Sequence, residues 1–339
     1  MKKLTTGLAT ALFAGLLNVQ AVVAADYEWT FQSSDQPGNT VFKIKQEWAS
    51  LVETLSDGKI HIEILPAGAV VAHNETLEAV GSGILTGHIT DSTYFSGKDP
   101  AFSLLGNLVG AWSSPYDLYR FIEYGGGAEL YNELENPYGV QFIGAVTPGL
   151  EAFVSTKVLN GVDDLKGLKM RSPEGMIQEV FAAAGASPVN LPFSEVYTTL
   201  DKGVIDAADA SVLATNHENG FFKVAKAPVY PGFHSMPTIE VSMNKAIYDG
   251  LSDQLKTVLS TSVRWLSWEF FNQLENKNFD VAAELRADPE ITITDWSEAE
   301  RVKFRQIARK VWVDYAKRSE FSQKVYDKIT TWLISQGKL

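Results

Sequence analysis

The chain has no cysteine. That removes disulfides, thiolate nucleophiles, iron–sulfur clusters and cysteine-ligated zinc together. Basic residues are scarce: 29 Lys and Arg face 41 Asp and Glu, for a formal net charge of −12. No basic run interrupts this acidic excess, which argues against nucleic acid or an anionic membrane surface as partner. Histidine is thin too, and His61, His73, His88, His217 and His234 include no pair at metal-binding helical spacing. There is no G-x-S-x-G nucleophile elbow and no Walker phosphate loop. Gly81-Ser82-Gly83-Ile84-Leu85-Thr86-Gly87 approaches a dinucleotide loop, but its last glycine comes one place late and it follows a helical pattern, so it reads as a helix-to-strand turn. These absences lean towards binding over catalysis.

What is present begins with the N-terminus. Lys2 and Lys3 precede an apolar run from Leu4 to Leu17, followed by Ala21-Val22-Val23-Ala24-Ala25 and the polar Asp26. This is the pattern of a secretory signal peptide over residues 1–25, with small residues where a peptidase cuts. The run falls short of the ~20 residues that span a bilayer, and no later segment reaches that length without charges. A soluble periplasmic protein is the expectation. The 339 residues suffice for about two domains at ~150 residues each.

Strand and helix patterns then alternate. Tyr27 to Gln32 and Ile60 to Leu65 alternate as strands do, while Val41 to Leu55 and the surroundings of Leu77 to Val80 repeat at helical spacing. The alternation restarts with Val140 to Ala145, Leu168 to Arg171, a helix near Met176 to Ala184, Ser187 to Asn190, a helix from Phe193 to Lys202, and Ile205 to Ala207. Such an order predicts an α/β fold of two lobes with mainly parallel sheets. Lobe I is expected over 26–149 with a returning segment at about 236–252, and lobe II over 150–235. Residues 253–339 are expected to be long helices, Gln254 to Arg286 and Ser297 to Trp332, with a brief Ile291 to Ile293 strand between them. Trp265, Trp268, Phe270 and Phe271 load the first of these with aromatic surface, for packing across both lobes or against a second subunit.

One run carries more than a pattern. Gly161-Val162-Asp163-Asp164-Leu165-Lys166-Gly167-Leu168-Lys169-Met170-Arg171 resembles the central signature of the periplasmic solute-binding proteins of TRAP (tripartite ATP-independent periplasmic) transporters, the DctP-like family. Further matches follow in order, among them Leu65-Pro66-Ala67-Gly68, Gly97-Lys98-Asp99-Pro100-Ala101-Phe102, Asn190-Leu191-Pro192-Phe193, Gly203-Val204-Ile205-Asp206-Ala207 and Tyr230-Pro231-Gly232-Phe233-His234. The second and last of these resemble the subgroup that binds 2-oxo or 2-hydroxy monocarboxylates, such as pyruvate or lactate, beside a metal ion.

That resemblance implies a two-lobed periplasmic binding protein, not an enzyme, that closes on a small organic acid and hands it to a sodium-coupled TRAP permease in the inner membrane. Arg171 is implied as the carboxylate grip, and a planar guanidinium suits that task because it forms two parallel charge-assisted hydrogen bonds. Glu151, Asp209, the Ala210 carbonyl and Ser235 are implied around the metal. Hard oxygen donors of this kind suit calcium, with sodium as the alternative. Tyr94 and Phe95 could wall the substrate or sit in the core, Asn190 could offer its amide or turn the chain before Pro192, and His234 completes the expected substrate contacts. A homodimer through the C-terminal helices is implied as well. The sequence departs from the family where Ala210 replaces a frequent tryptophan, leaving room for an acid bulkier than pyruvate. Two other readings stay open on the residues alone: a secreted metal-dependent enzyme acting on a carboxylic acid, and a sensor subunit.

Overall fold

A computed structural model describes residues 25–339; the expected signal peptide lies, but for Ala25, outside the described residues. Two sheets organise the chain. The first has the order β2-β1-β3-β9-β4 and is built from β1 (Tyr27–Ser33), β2 (Ile60–Leu65), β3 (Gly87–Asp91), β4 (Val140–Val146) and β9 (Ile239–Asn244). The second has the order β5-β8-β6-β7, from β5 (Ala152–Ser155), β6 (Lys169–Ser172), β7 (Ser187–Asn190) and β8 (Ala207–Ser211). Alternation explains β2, whose Ile60, Ile62 and Ile64 are buried while His61 and Glu63 face out. The helix Thr40–Leu55 covers this sheet with Val41, Ile44, Trp48 and Val52, spaced three or four apart.

Among the described residues the sheets are mixed, with four of the seven strand pairings parallel and three antiparallel. β1 runs parallel to β2 and β3, and β6 parallel to β7 and β8, but β9 is antiparallel to both β3 and β4, and β5 to β8. The reason is connectivity: β9 returns from the second sheet and inserts between strands laid down before the chain left. The two sheets are therefore joined by two crossing segments, residues 147–151 outward and 230–238 back.

A third connection is the helix Asp253–Ala287, of 35 residues. Its Leu259, Val263, Leu266, Phe270 and Leu274 are buried with the first sheet, whereas Val281, Ala282 and Leu285 are buried with residues of the second. Phe270 is fully buried, while Trp268 is 67% exposed. The single helix expected from Ser297 to Trp332 is two, Glu298–Ala316 and Glu320–Ser335. Ser319 breaks it, because its hydroxyl accepts the Ser322 N–H at 2.9 Å and donates to Asp99 at 3.1 Å, capping a new helix. Apolar periodicity runs on through the break, since both helices bury a face in the same core through Phe304, Trp312, Val325 and Ile329.

Two smaller expectations also shift. Ile291 to Ile293 is not a ladder strand; the adjoining Thr294 makes an isolated bridge to Val229. The strand expected at Ile205 to Ala207 starts at Ala207, because Ile205 still closes the preceding helix by bonding to the Thr199 carbonyl.

Candidate functional site

The site's ionisable groups arrive on three separate segments. Glu151 is the last residue of the outward crossing, Asp209 lies within β8, and His234 lies on the return crossing. Asp209 pairs with Phe153 in β5, but Ala152 pairs with Ser211, so one extra residue, Ala210, bulges from β8. A bulge leaves its extra residue outside the ladder and re-aims the neighbouring side chains. Ligand atoms of Glu151, Asp209 and His234 all lie within 4.8 Å of one another, and all three residues are buried. His234 Nε2 is 2.9 Å from Asp209 Oδ1.

Electrostatics set the two acids apart. Burial and the adjacent Asp209 carboxylate push Glu151 well above the usual carboxylate range. Burial acts against ionised Asp209 as well, but the hydrogen bond and charge of His234, with Arg171 nearby, hold it below its ordinary value. Two carboxyls this close, both buried, disfavour carrying two negative charges without a cation between them.

Arg171 sits on β6, the strand between β7 and β8, and is 3% exposed. Its Nε donates to the Leu191 carbonyl at 2.9 Å and its Nη1 to the Asp209 carbonyl at 2.5 Å. A guanidinium has five N–H donors, so these two bonds fix its plane and leave three for a ligand. Arg171 faces a cavity of about 180 Å³ between the lobes. Ser34, His73 and Tyr94 wall it from the first lobe, and Glu174, Asn190 and Leu191 from the second. His73 meets Tyr94 edge-on at 4.5 Å, and burial together with the Arg171 charge lowers its pKa. Burial raises that of the Tyr94 hydroxyl.

The remaining sequence-derived residues divide. Asn190 is on the cavity rim, its amide 3.4 Å from Glu174. Ser235 is a holding residue: its carbonyl accepts the Glu151 N–H at 2.9 Å, and its hydroxyl accepts from Asn107 at 2.6 Å. Phe95 is not a cavity wall; it is fully buried, stacked on His88 at 5.6 Å and against Phe102 at 5.5 Å. The short 3-10 turn Ser92–Phe95 leaves Tyr94 partly exposed and buries Phe95. His234, expected among the substrate contacts, stands in the carboxylate cluster and not among the residues that line the cavity Arg171 faces.

Sequence reasoning missed His73 and Asp91. Asp91 caps that same turn through the Thr93 N–H at 2.8 Å, and burial, reinforced by Asp209 and Glu240, pushes it up to about 7. The signal was the Asp-Ser-Thr capping pattern directly before Tyr94. Gly232 was legible only as part of a motif, yet it decides where Glu151 stands. A Cβ there would lie 1.6 Å from the Glu151 carbonyl oxygen, which is backbone and cannot swing aside. Gly232→Ala is therefore expected to cost about 1–3 kcal/mol of stability and to weaken ligand binding, read by thermal denaturation and titration.

Residues 31–318 match the bacterial extracellular solute-binding proteins, family 7. A monocarboxylate 2-oxoacid-binding periplasmic protein of Nostoc is 26% identical over 331 residues, covering 96% of this chain and 88% of its own. A TRAP periplasmic solute-binding protein of Rhodobacter sphaeroides, solved in an apo open form, superposes with a TM-score of 0.77 at 50% identity, over 92% of this chain and 99% of that one. Another, from Pseudoalteromonas atlantica with bound sodium and pyruvate, gives 0.81 at 27% identity, over 92% of this chain and 95% of its own. No helix among the described residues is long and apolar enough to cross a membrane. With a buried carboxylate–imidazole cluster beside an arginine between two lobes, and this match along nearly its whole length, the chain belongs to the DctP family of TRAP periplasmic solute-binding proteins, which bind solutes and are not enzymes.

Proposed function

We propose that this protein captures a small 2-oxo or 2-hydroxy monocarboxylate, gripping its carboxylate with Arg171 beside a metal ion, and delivers it to a sodium-coupled permease. The observation that carries the reading is the buried Glu151–Asp209–His234 cluster, with the Asp209 main chain bonded to Arg171. Two buried carboxyls with one proton's worth of compensation between them suit a cation. Glu151 and Asp209 would hold it with side-chain oxygens, and the Ala210 carbonyl, freed by the bulge, would add a third. His234 donates to Asp209 and so aims its other oxygen. A bound cation supplies positive charge for the acid's 2-oxygen, and calcium suits the oxygen-rich set better than zinc. The bound sodium and pyruvate of the Pseudoalteromonas relative support the reading, with sodium the alternative metal.

Tyr94 and His73 cover the cavity from the first lobe, so closure would exclude water and strengthen the arginine–carboxylate contact. Small Ala210 leaves space for an acid bulkier than pyruvate. The exposed Trp268 supports a homodimer along the long helix.

Native mass spectrometry of protein purified without added ligand tests the reading in one measurement. One small acid and one metal per chain, on a particle of twice the chain mass, is the expected result. A bare chain that gives no heat with pyruvate, lactate or bulkier 2-oxo acids, with calcium present, would overturn it.

A further inference from the structure

A second cavity, of about 530 Å³, shares no wall residue with the one that Arg171 faces. It lies where the Leu108–Ser113 loop, the return crossing around Gly232–Met236 and the helix Glu298–Ala316 converge. Its ionisable lining is Arg301, Arg305, Arg309, Lys338, His234 and a single carboxylate, Glu298. In a chain of net charge −12 this is a local inversion of sign.

The three arginines stand four residues apart on one helix face, where like charges repel and weaken the helix. Their existing partners cover only part of that charge. Arg301 bonds to the Pro231 carbonyl at 2.9 Å, to the Gly232 carbonyl and to Asp295 at 2.8 Å. Arg305 reaches Glu298, whose side chain is 71% exposed, and Lys338 is 3.3 Å from Asp117. Arg309 has only a 3.4 Å contact with the Lys338 carbonyl and, among the described residues, no carboxylate. A second, independent feature is His234, which is 1% exposed and forms part of this wall. Its Nε2 faces Asp209, but its buried Nδ1 has no hydrogen-bond partner.

We propose that this cavity is a second ligand site, for a small divalent oxyanion of the phosphate or dicarboxylate kind, separate from the cleft that takes the transported acid. Arg305 and Arg309 provide fork-shaped donors for two oxygens, and Arg301 anchors the helix to the return crossing that forms the floor. Arg309 has no carboxylate partner among the described residues and Arg305 only an exposed one, so an anion with two charged ends can be shared between the two guanidiniums where a monocarboxylate would engage one.

The test is calorimetric titration of inorganic phosphate, and separately of succinate, at constant ionic strength, into wild type, Arg171→Ala and Arg305→Gln/Arg309→Gln. Wild type and Arg171→Ala should bind alike, while the double variant binds about tenfold more weakly or worse. Arg309→Gln alone, at an exposed and unpaired position, gives the same readout should the double variant fold poorly. Absence of binding to wild type by both anions, or binding lost in Arg171→Ala and kept in the double variant, would overturn the proposal. The second pattern would assign the anion to the cleft.

Discussion

Arg171→Ala is expected to lower affinity for the captured acid by about a hundredfold or more while leaving the protein folded. The side chain is 3% exposed, and its orientation is set by the Leu191 and Asp209 carbonyls, not by the ligand. Its three remaining donors are thus pre-aimed, and little ordering cost falls on binding. Truncating one partner of a buried charge pair costs about 2–5 kcal/mol, much of it from the carboxylate left dry and unpaired. Loss is compounded at Asp209, whose low pKa depends partly on the Arg171 charge; without it the metal must compete with a more basic carboxylate. Arg171→Lys restores charge but neither the fork nor both carbonyl bonds, and about a tenfold deficit is expected. The two orphaned carbonyls will lower the melting temperature of the alanine variant, so affinity is measured well below that temperature. Unchanged affinity by calorimetry in Arg171→Ala would remove it from the site.

How far these residues were legible follows from what kind of signal each leaves. Arg171 closes both the Leu168 to Arg171 strand pattern and an eleven-residue run that resembles a family signature, so its place in the second sheet was legible and its proposed role follows from the resemblance. The long helix was legible almost to its ends, because buried residues recur at 3.6 spacing over 35 positions. Asp209 was harder. Its strand reads Ala207-Ala208-Asp209-Ala210-Ser211, small residues without alternation, and a bulge leaves no mark in such a stretch. His234 illustrates a different limit: its neighbourhood was legible from Tyr-Pro-Gly-Phe-His, but its 2.9 Å approach to Asp209, 25 positions earlier, is a product of the two crossings and not of local order. The same holds for Asp91, the last residue of β3, and for His73, which opens a short 3-10 turn where periodicity says nothing. Phe95 failed for the opposite reason. Two adjacent aromatics offer equal chemistry, and only the turn decides which faces the core.

Glu151→Gln should produce the other large effect, a loss of calcium affinity of about a hundredfold and of its dependence on pH. Glu151, Asp209 and the acid's carboxylate each bring one negative charge and Arg171 one positive, so these four groups together carry −2 before a metal enters. A divalent ion restores neutrality; after Glu151→Gln a monovalent one is enough. In the metal-free protein the same surplus favours the protonated form of Glu151, its pKa raised first by burial and then by Asp209. Calcium must displace that proton, so wild-type calcium affinity should rise with pH up to about tenfold per unit until the metal-free carboxyl ionises. Stability runs the other way. A carboxyl whose folded pKa exceeds its unfolded value contributes stability that is complete below the ordinary glutamate range and is lost as pH rises through the folded value. Asp91, pushed up to about 7, acts in the same direction, whereas Asp209, held low, keeps its contribution throughout the neutral range. Metal-free wild type should therefore weaken from mildly acidic to mildly alkaline pH, and Glu151→Gln should weaken less, by the share due to Glu151 alone. The measurements are acid and calcium titrations of both proteins across that range, with and without EDTA, in sodium and in potassium buffer, alongside denaturation of the metal-free forms. If wild type binds its acid equally well after dialysis against EDTA, and elemental analysis finds no metal, the charge count fails and Glu151 must be held in the cleft by its proton alone.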